Sequence, residues 1–138
     1  RGVNMEYQER TVQRVFSIRF SEGDRIIDCL EKLVAEKEIR TGIVLFLGAF
    51  TKGDLVLGFR KYSKMAKDFD RGDFSGTREA LGIGSITWVD GKPKIHVHAG
   101  VAKEREVLLA HIVEADVAGA EVFILELSGS GFSSAALV

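Results

Sequence analysis

The chain carries three histidines, and their spacing suits a metal ion. His96 and His98 flank Val97 in a run that alternates as a strand does: Ile95, Val97, Ala99 and Val101 against Lys94, His96, His98 and Gly100. Successive strand side chains leave on opposite faces, so both imidazoles point away from the apolar set. His111 follows thirteen positions after His98, far enough for the chain to turn and come back. Neutral imidazole nitrogen is the commonest protein ligand for zinc and similar ions, and three protein ligands leave a fourth coordination position open. His96, His98 and His111 are therefore read as ligands of a zinc-like divalent cation. The competing reading is three ordinary surface or trapped histidines.

Hydrolysis at such an ion would also need a nearby acid or base. Glu79 is the candidate, because it lies on the strand expected to pair with the histidine strand through the hairpin turn Asp90-Gly91. Glu114, three residues after His111, is a second candidate if that segment is helical. A surface or supporting carboxylate is the alternative reading of Glu79. Other catalytic signatures are missing. Gly82-Ile83-Gly84 is not followed by a helical pattern and so makes no phosphate loop, and Ser128, Ser130, Ser133 and Ser134 sit in a linker-like tail.

The elements that must position these residues follow from periodicity. Val12 to Phe20 alternates as a half-buried strand, with Val12, Phe16, Ile18 and Phe20 sharing a face with Arg14. Ser21-Glu22-Gly23-Asp24 reads as a turn and helix start whose polar side chains could accept first-turn amide hydrogens. Ile26, Ile27, Leu30, Leu33 and Val34 follow at helical spacing, and the helix is predicted to end near Glu38. Ile43 to Leu47 fits a strand buried on both faces, and Asp54 to Arg60 a second strand beyond the turn residues Lys52-Gly53. Lys61 to Ser75 reads as an exposed charged loop. Glu79 to Val89 resumes strand character, with Gly82 and Gly84 hinting at a bulge or a close backbone approach. Lys103 to Arg105 break the histidine strand, and Ala120 to Leu127 form a last strand before the flexible joint Ser128-Gly129-Ser130-Gly131. The predicted class is α+β: a mostly antiparallel sheet with one firm helix after the first strand, in one compact domain.

Composition sets the outer limits. At 138 residues, 46% hydrophobic and 28% charged, the chain can bury a core without staples. Its net charge of −1 provides no field for nucleic acid or an anionic membrane. Lone Cys29 lies in the apolar helical pattern and reads as a buried, inert thiol. No apolar run approaches bilayer length, and no signal-peptide pattern opens the sequence, which makes a cytoplasmic location the default expectation.

The run Gly76-Thr77-Arg78-Glu79-Ala80-Leu81-Gly82-Ile83-Gly84-Ser85-Ile86 is followed by Asp90-Gly91-Lys92-Pro93 and Ile95-His96-Val97-His98. Ala110-His111-Ile112 and Glu121-Val122-Phe123-Ile124 come next. In order and spacing these segments resemble the plants-and-prokaryotes-conserved domain, PPC or PCC, which in plants accompanies AT-hook DNA-binding motifs. The likeness runs from about Arg10 to Gly129 and includes Glu22-Gly23-Asp24 and the Gly42 to Ala49 strand. It implies a stand-alone prokaryotic-type domain over 11–138 behind a flexible segment 1–10, assembled as a homotrimer. Prokaryotic members of that family often carry a DNA-binding label, and some hold a metal on a histidine pair plus a later histidine, matching His96, His98 and His111. Where the family usually places two glycines before the third histidine, this chain has Leu109-Ala110. The plant partner-contact segment corresponds to Gly76 to Leu81, which keeps Gly76, Glu79 and Leu81 only.

An AT-hook needs an Arg-Gly-Arg-Pro-like core to enter the narrow minor groove. Here the sole proline, Pro93, follows Asp90-Gly91-Lys92, and the Arg60 to Lys67 basic residues read as a solvated loop face. Direct DNA binding therefore has little support. Two functions remain in view. One is a non-catalytic trimeric binding or regulatory module whose metal pocket takes a small ligand or props the subunit contact. The other is a zinc-dependent enzyme acting on a small polar substrate, and behind both stands a nucleic-acid-associated regulator. Phe50, Phe59 and the Ala135–Val138 tail are candidate subunit contacts.

Overall fold

The computed structural model describes residues 4–62 and 67–132. It contains β1 (Val12–Phe20), α1 (Ile26–Lys37), β2 (Gly42–Tyr62), β3 (Lys67–Val89), β4 (Lys92–Lys103) and β5 (Glu106–Leu127). All strand pairs are antiparallel, in the order β1-β5-β2-β3-β4, and β4 bonds back to β5. That last pairing closes the central parts of β5, β2, β3 and β4 into a small barrel, while β2 and β3 run on beyond it. The inward residues Val44, Phe46, Ile95, Val97, Val101, Ile112, Val122 and Ile124 fill it. No helix among the described residues is long and apolar enough to cross a membrane.

Helix α1 forms where the spacing predicts it, burying Ile26, Ile27, Leu30 and Val34, and it stops where Glu38 turns left-handed (φ 52°). Its start differs from expectation. Asp24 Oδ2 accepts the Ser21 N–H instead of capping the helix. The first-turn amides of Ile27 and Asp28 donate to the Glu114 carboxylate from β5, at 2.8 and 3.0 Å. Glu114 is thus on a strand, not a helix, and holds α1 onto the barrel. Glu114→Ala is expected to lower stability by about 1–2 kcal/mol, the usual cost of a lost N-terminal cap; a denaturant midpoint measures it. Cys29 is only partly buried, on the flank of this helix.

Several sequence expectations for the sheet need correction. Ile43 to Leu47 and Asp54 to Arg60 are one strand, because register shifts beside Phe50 absorb Thr51 without a turn. The run is not buried on both faces: Val44 and Phe46 point in, while Leu45 and Leu47 remain 38% and 49% exposed. The predicted loop from Lys61 to Ser75 is largely strand, since β2 and β3 extend into a long hairpin. Arg60 clasps Asp70 at 2.6 Å and Asp68 at 3.7 Å, and the Phe59 and Phe69 rings lie 5.0 Å apart, tilted by 34°. The outer part of this hairpin pairs with no other strand among the described residues, so alternating charge there reflects a protruding ribbon. Phe50 is a core residue with no exposure, which removes it as a subunit contact. Ser128 is tied down, its backbone amide donating to Thr11 O and its carbonyl accepting from Arg10. Ser133, Ser134, Lys64 and the Ala135–Val138 tail lie outside the described residues.

Candidate metal centre

Two tight hairpins flank the strand that carries His96 and His98. Asp90-Gly91, both with positive φ (51° and 75°), joins β3 to β4 as the sequence indicates. The second turn is Glu104-Arg105, with Glu104 at φ 56°. Counting outward from it, Lys103 faces Glu106, and five steps further along each arm His98 faces His111 directly. The thirteen-residue separation is therefore a hairpin spacing. Glu104-Arg105 lacks the Asn or Gly that advertises such a turn, so the sequence shows only a break there. Alternation then puts His96 on the same face as His98.

The imidazoles converge. His96 Nε2 and His98 Nε2 are 3.2 Å apart, and one ring nitrogen from each of the three histidines lies within 4.8 Å of the others. Tetrahedral zinc with Zn–N bonds of about 2.0–2.1 Å needs its nitrogens about 3.3 Å apart. Small side-chain rotations reach that value. His96 and His111 are part-buried, His98 exposed, so the open side of the cluster faces outward. Burial, then the nearby His98 and Lys94, depresses the His96 pKa. Burial, then His96, His98 and Lys94, brings His111 down to about 4. Both rings are therefore neutral at pH 7, with a lone pair to give to a cation.

The carboxylate candidates do not join them. Glu79 is exposed and pairs with Ala102, four positions along β3 from Ile83, which faces His98. At about 3.3 Å per residue that is roughly 13 Å along the strand. Glu114 is engaged at α1. Among the described residues, the cluster consists of the three histidines alone. Around it lies a cleft of about 560 Å³ whose walls include Val56, Phe59, Phe69, Arg71 and Leu109. Sequence reasoning missed this cleft, because the hairpin that supplies Phe59, Phe69 and Arg71 was read as a solvated loop.

Residues 7–128 match the Plants and Prokaryotes Conserved (PCC) domain. The chain belongs to this family. As a PCC domain it is similar to a metal-containing protein from Archaeoglobus fulgidus, with 26% identity, TM-score 0.82, and 92% of this chain and 89% of that one covered. A plant- and prokaryote-conserved protein from Pyrococcus horikoshii shares the fold at 24% identity and TM-score 0.79, with 91% and 86% covered. A Ralstonia eutropha protein described as a candidate DNA-binding protein shares it at 22% identity and TM-score 0.70, with 83% and 78% covered. No curated protein matches the chain. Within this PCC domain, Gly76 to Leu81 is part of β3, where Arg78 lies over the Phe74 ring and reaches Glu106 at 3.5 Å.

Proposed function

We propose that the protein is a metal-dependent binding module in which His96, His98 and His111 hold a zinc-like divalent cation that takes a small ligand at its open position. The observation that carries this reading is the convergence of three imidazoles on the outer face of the barrel, with the pKa values of His96 and His111 depressed by burial. The metal-containing Archaeoglobus relative supports it. A cation so held acts as a Lewis acid toward a bound oxygen. A binding role is favoured over hydrolysis because the cluster contains no carboxylate among the described residues, leaving Glu79 without a proton-transfer part.

We further assign a homotrimer to the working state. Leu45 pairs with Ile83 and Leu47 with Leu81 on the outer barrel wall, and these four are 38%, 58%, 49% and 70% exposed. Contiguous exposed apolar patches of this kind mark association surfaces. The DNA-binding description of the Ralstonia relative is not carried over, because a net charge of −1 supplies no phosphate-binding footprint.

Elemental analysis and light scattering on the purified, zinc-dialysed protein test both parts. About one ion per chain and a mass three times that of the 15.2 kDa subunit are expected. Substoichiometric metal after dialysis overturns the first part, and a monomer overturns the second.

A further inference from the structure

Arg71 lies in the same lateral row as two of the three histidines. It pairs with Val56 across β3 and β2, Val56 pairs with His111 across β2 and β5, and His111 pairs with His98 across β5 and β4. Directly opposed residues of an antiparallel sheet share a face, so Arg71 projects on the histidine side. Two strand spacings, roughly 10 Å, separate it from His111. An arginine is long enough to close most of that gap while leaving room for a ligand group.

Two properties define what fits there. Arg71 makes no ion pair or hydrogen bond among the described residues, although Arg60, on the same hairpin, takes both Asp68 and Asp70. A guanidinium left open beside a cation site calls for an anion, and a carboxylate offers one oxygen to each. The rest of the cleft is apolar. The tilted Phe59 and Phe69 rings form one wall and Leu109 another, in a volume of about 560 Å³, within the range of small-molecule sites.

We infer that the cleft binds a small organic carboxylate with an apolar body. One carboxylate oxygen coordinates the cation, the other accepts from Arg71, and the body lies against Phe59, Phe69 and Leu109. This rests on the metal reading above and adds the ligand class to it. Arg71 is here a ligand-binding residue, not a metal ligand.

The test uses full-length protein loaded with cobalt(II), whose visible absorption reports coordination, and phenylacetate as the probe. Acetate lacks the apolar body and 2-phenylethanol lacks the charge. Phenylacetate is expected to shift the cobalt bands and to bind at least tenfold more tightly than either. Arg71→Gln should weaken phenylacetate at least tenfold with cobalt content and the unliganded spectrum unchanged. Cobalt uptake without phenylacetate binding, equal binding of the alcohol, or an unaffected Arg71→Gln variant each overturns this inference while the metal site stands. Failure to load cobalt at all overturns the metal reading and, with it, the carboxylate site.

Discussion

His98→Ala should lower zinc affinity by more than about a hundredfold while leaving the metal-free fold in place. Substitutions that disturb only the groups supporting a ligand already cost about 10–100-fold, so removing one of three ligands costs at least the upper end of that range. His98 is the exposed member of the cluster, on the outer face of β4, and its neighbours Val97 and Ala99 form the core without it. An exposed change of this kind moves stability by about 0.5 kcal/mol or less. Competition against a chromophoric chelator gives the affinity, and thermal melts in chelator give the apoprotein stability. With zinc present the two proteins should separate, because ligation adds about 2.7 kcal/mol to the wild type at a hundredfold excess over Kd. A large fall in the melting temperature of the metal-free variant, or loss of its assembly, would instead make the cluster a structural prop.

The parts of the molecule that were legible in the sequence share one property: their signals are local. The 3.6-residue pattern from Ile26 to Val34 requires only that α1 bury one face, and Asp90-Gly91 encodes its own turn. The His96-Val97-His98 alternation is likewise sufficient to put two imidazoles on one face. What stayed hidden depends on partners remote in the chain. Glu114 caps a helix 87 positions away, and no pattern around Glu114 announces that. Leu45 and Leu47 read as doubly buried because sequence hydrophobicity does not distinguish a core from an exposed apolar wall. The Arg60 to Arg71 arm resembles a loop by charge, yet Arg60 bonds across it to Asp70, and strand pairing sets Arg71 in the wall of the histidine cleft. The candidate site was thus half visible: its histidines could be counted, but the walls around them required the barrel.

Gly84→Ala is expected to destabilise the protein by about 3 kcal/mol and to weaken metal binding together with stability. The two glycines of β3 that hinted at a close approach do mark one. A Cβ on Gly84 would lie 2.3 Å from the His96 carbonyl oxygen and 2.6 Å from Val97 Cγ2. The first obstacle is backbone, which no rotamer change can move aside, so β4 itself must shift at the residue carrying a ligand. At Gly82 the nearest obstacle is instead the Phe46 ring, at 2.1 Å, although the His98 carbonyl also lies within 3.0 Å. Overpacking costs about 1–3 kcal/mol, and the backbone clash places Gly84 at the upper end. For a chain of this size that is a fall of roughly 10 °C in Tm. Gly119→Ala is the control, because its Cβ would meet nothing within 4 Å. It should stay within about 0.5 kcal/mol of wild type and retain full metal affinity. If Gly84→Ala melted with the control, β3 and β4 would have slack between them, and the histidine pair could not owe its position to that contact. If Gly84→Ala lost stability but kept its zinc affinity, the displacement would be absorbed inside the barrel, and the outer face would hold its geometry independently of the core beneath it.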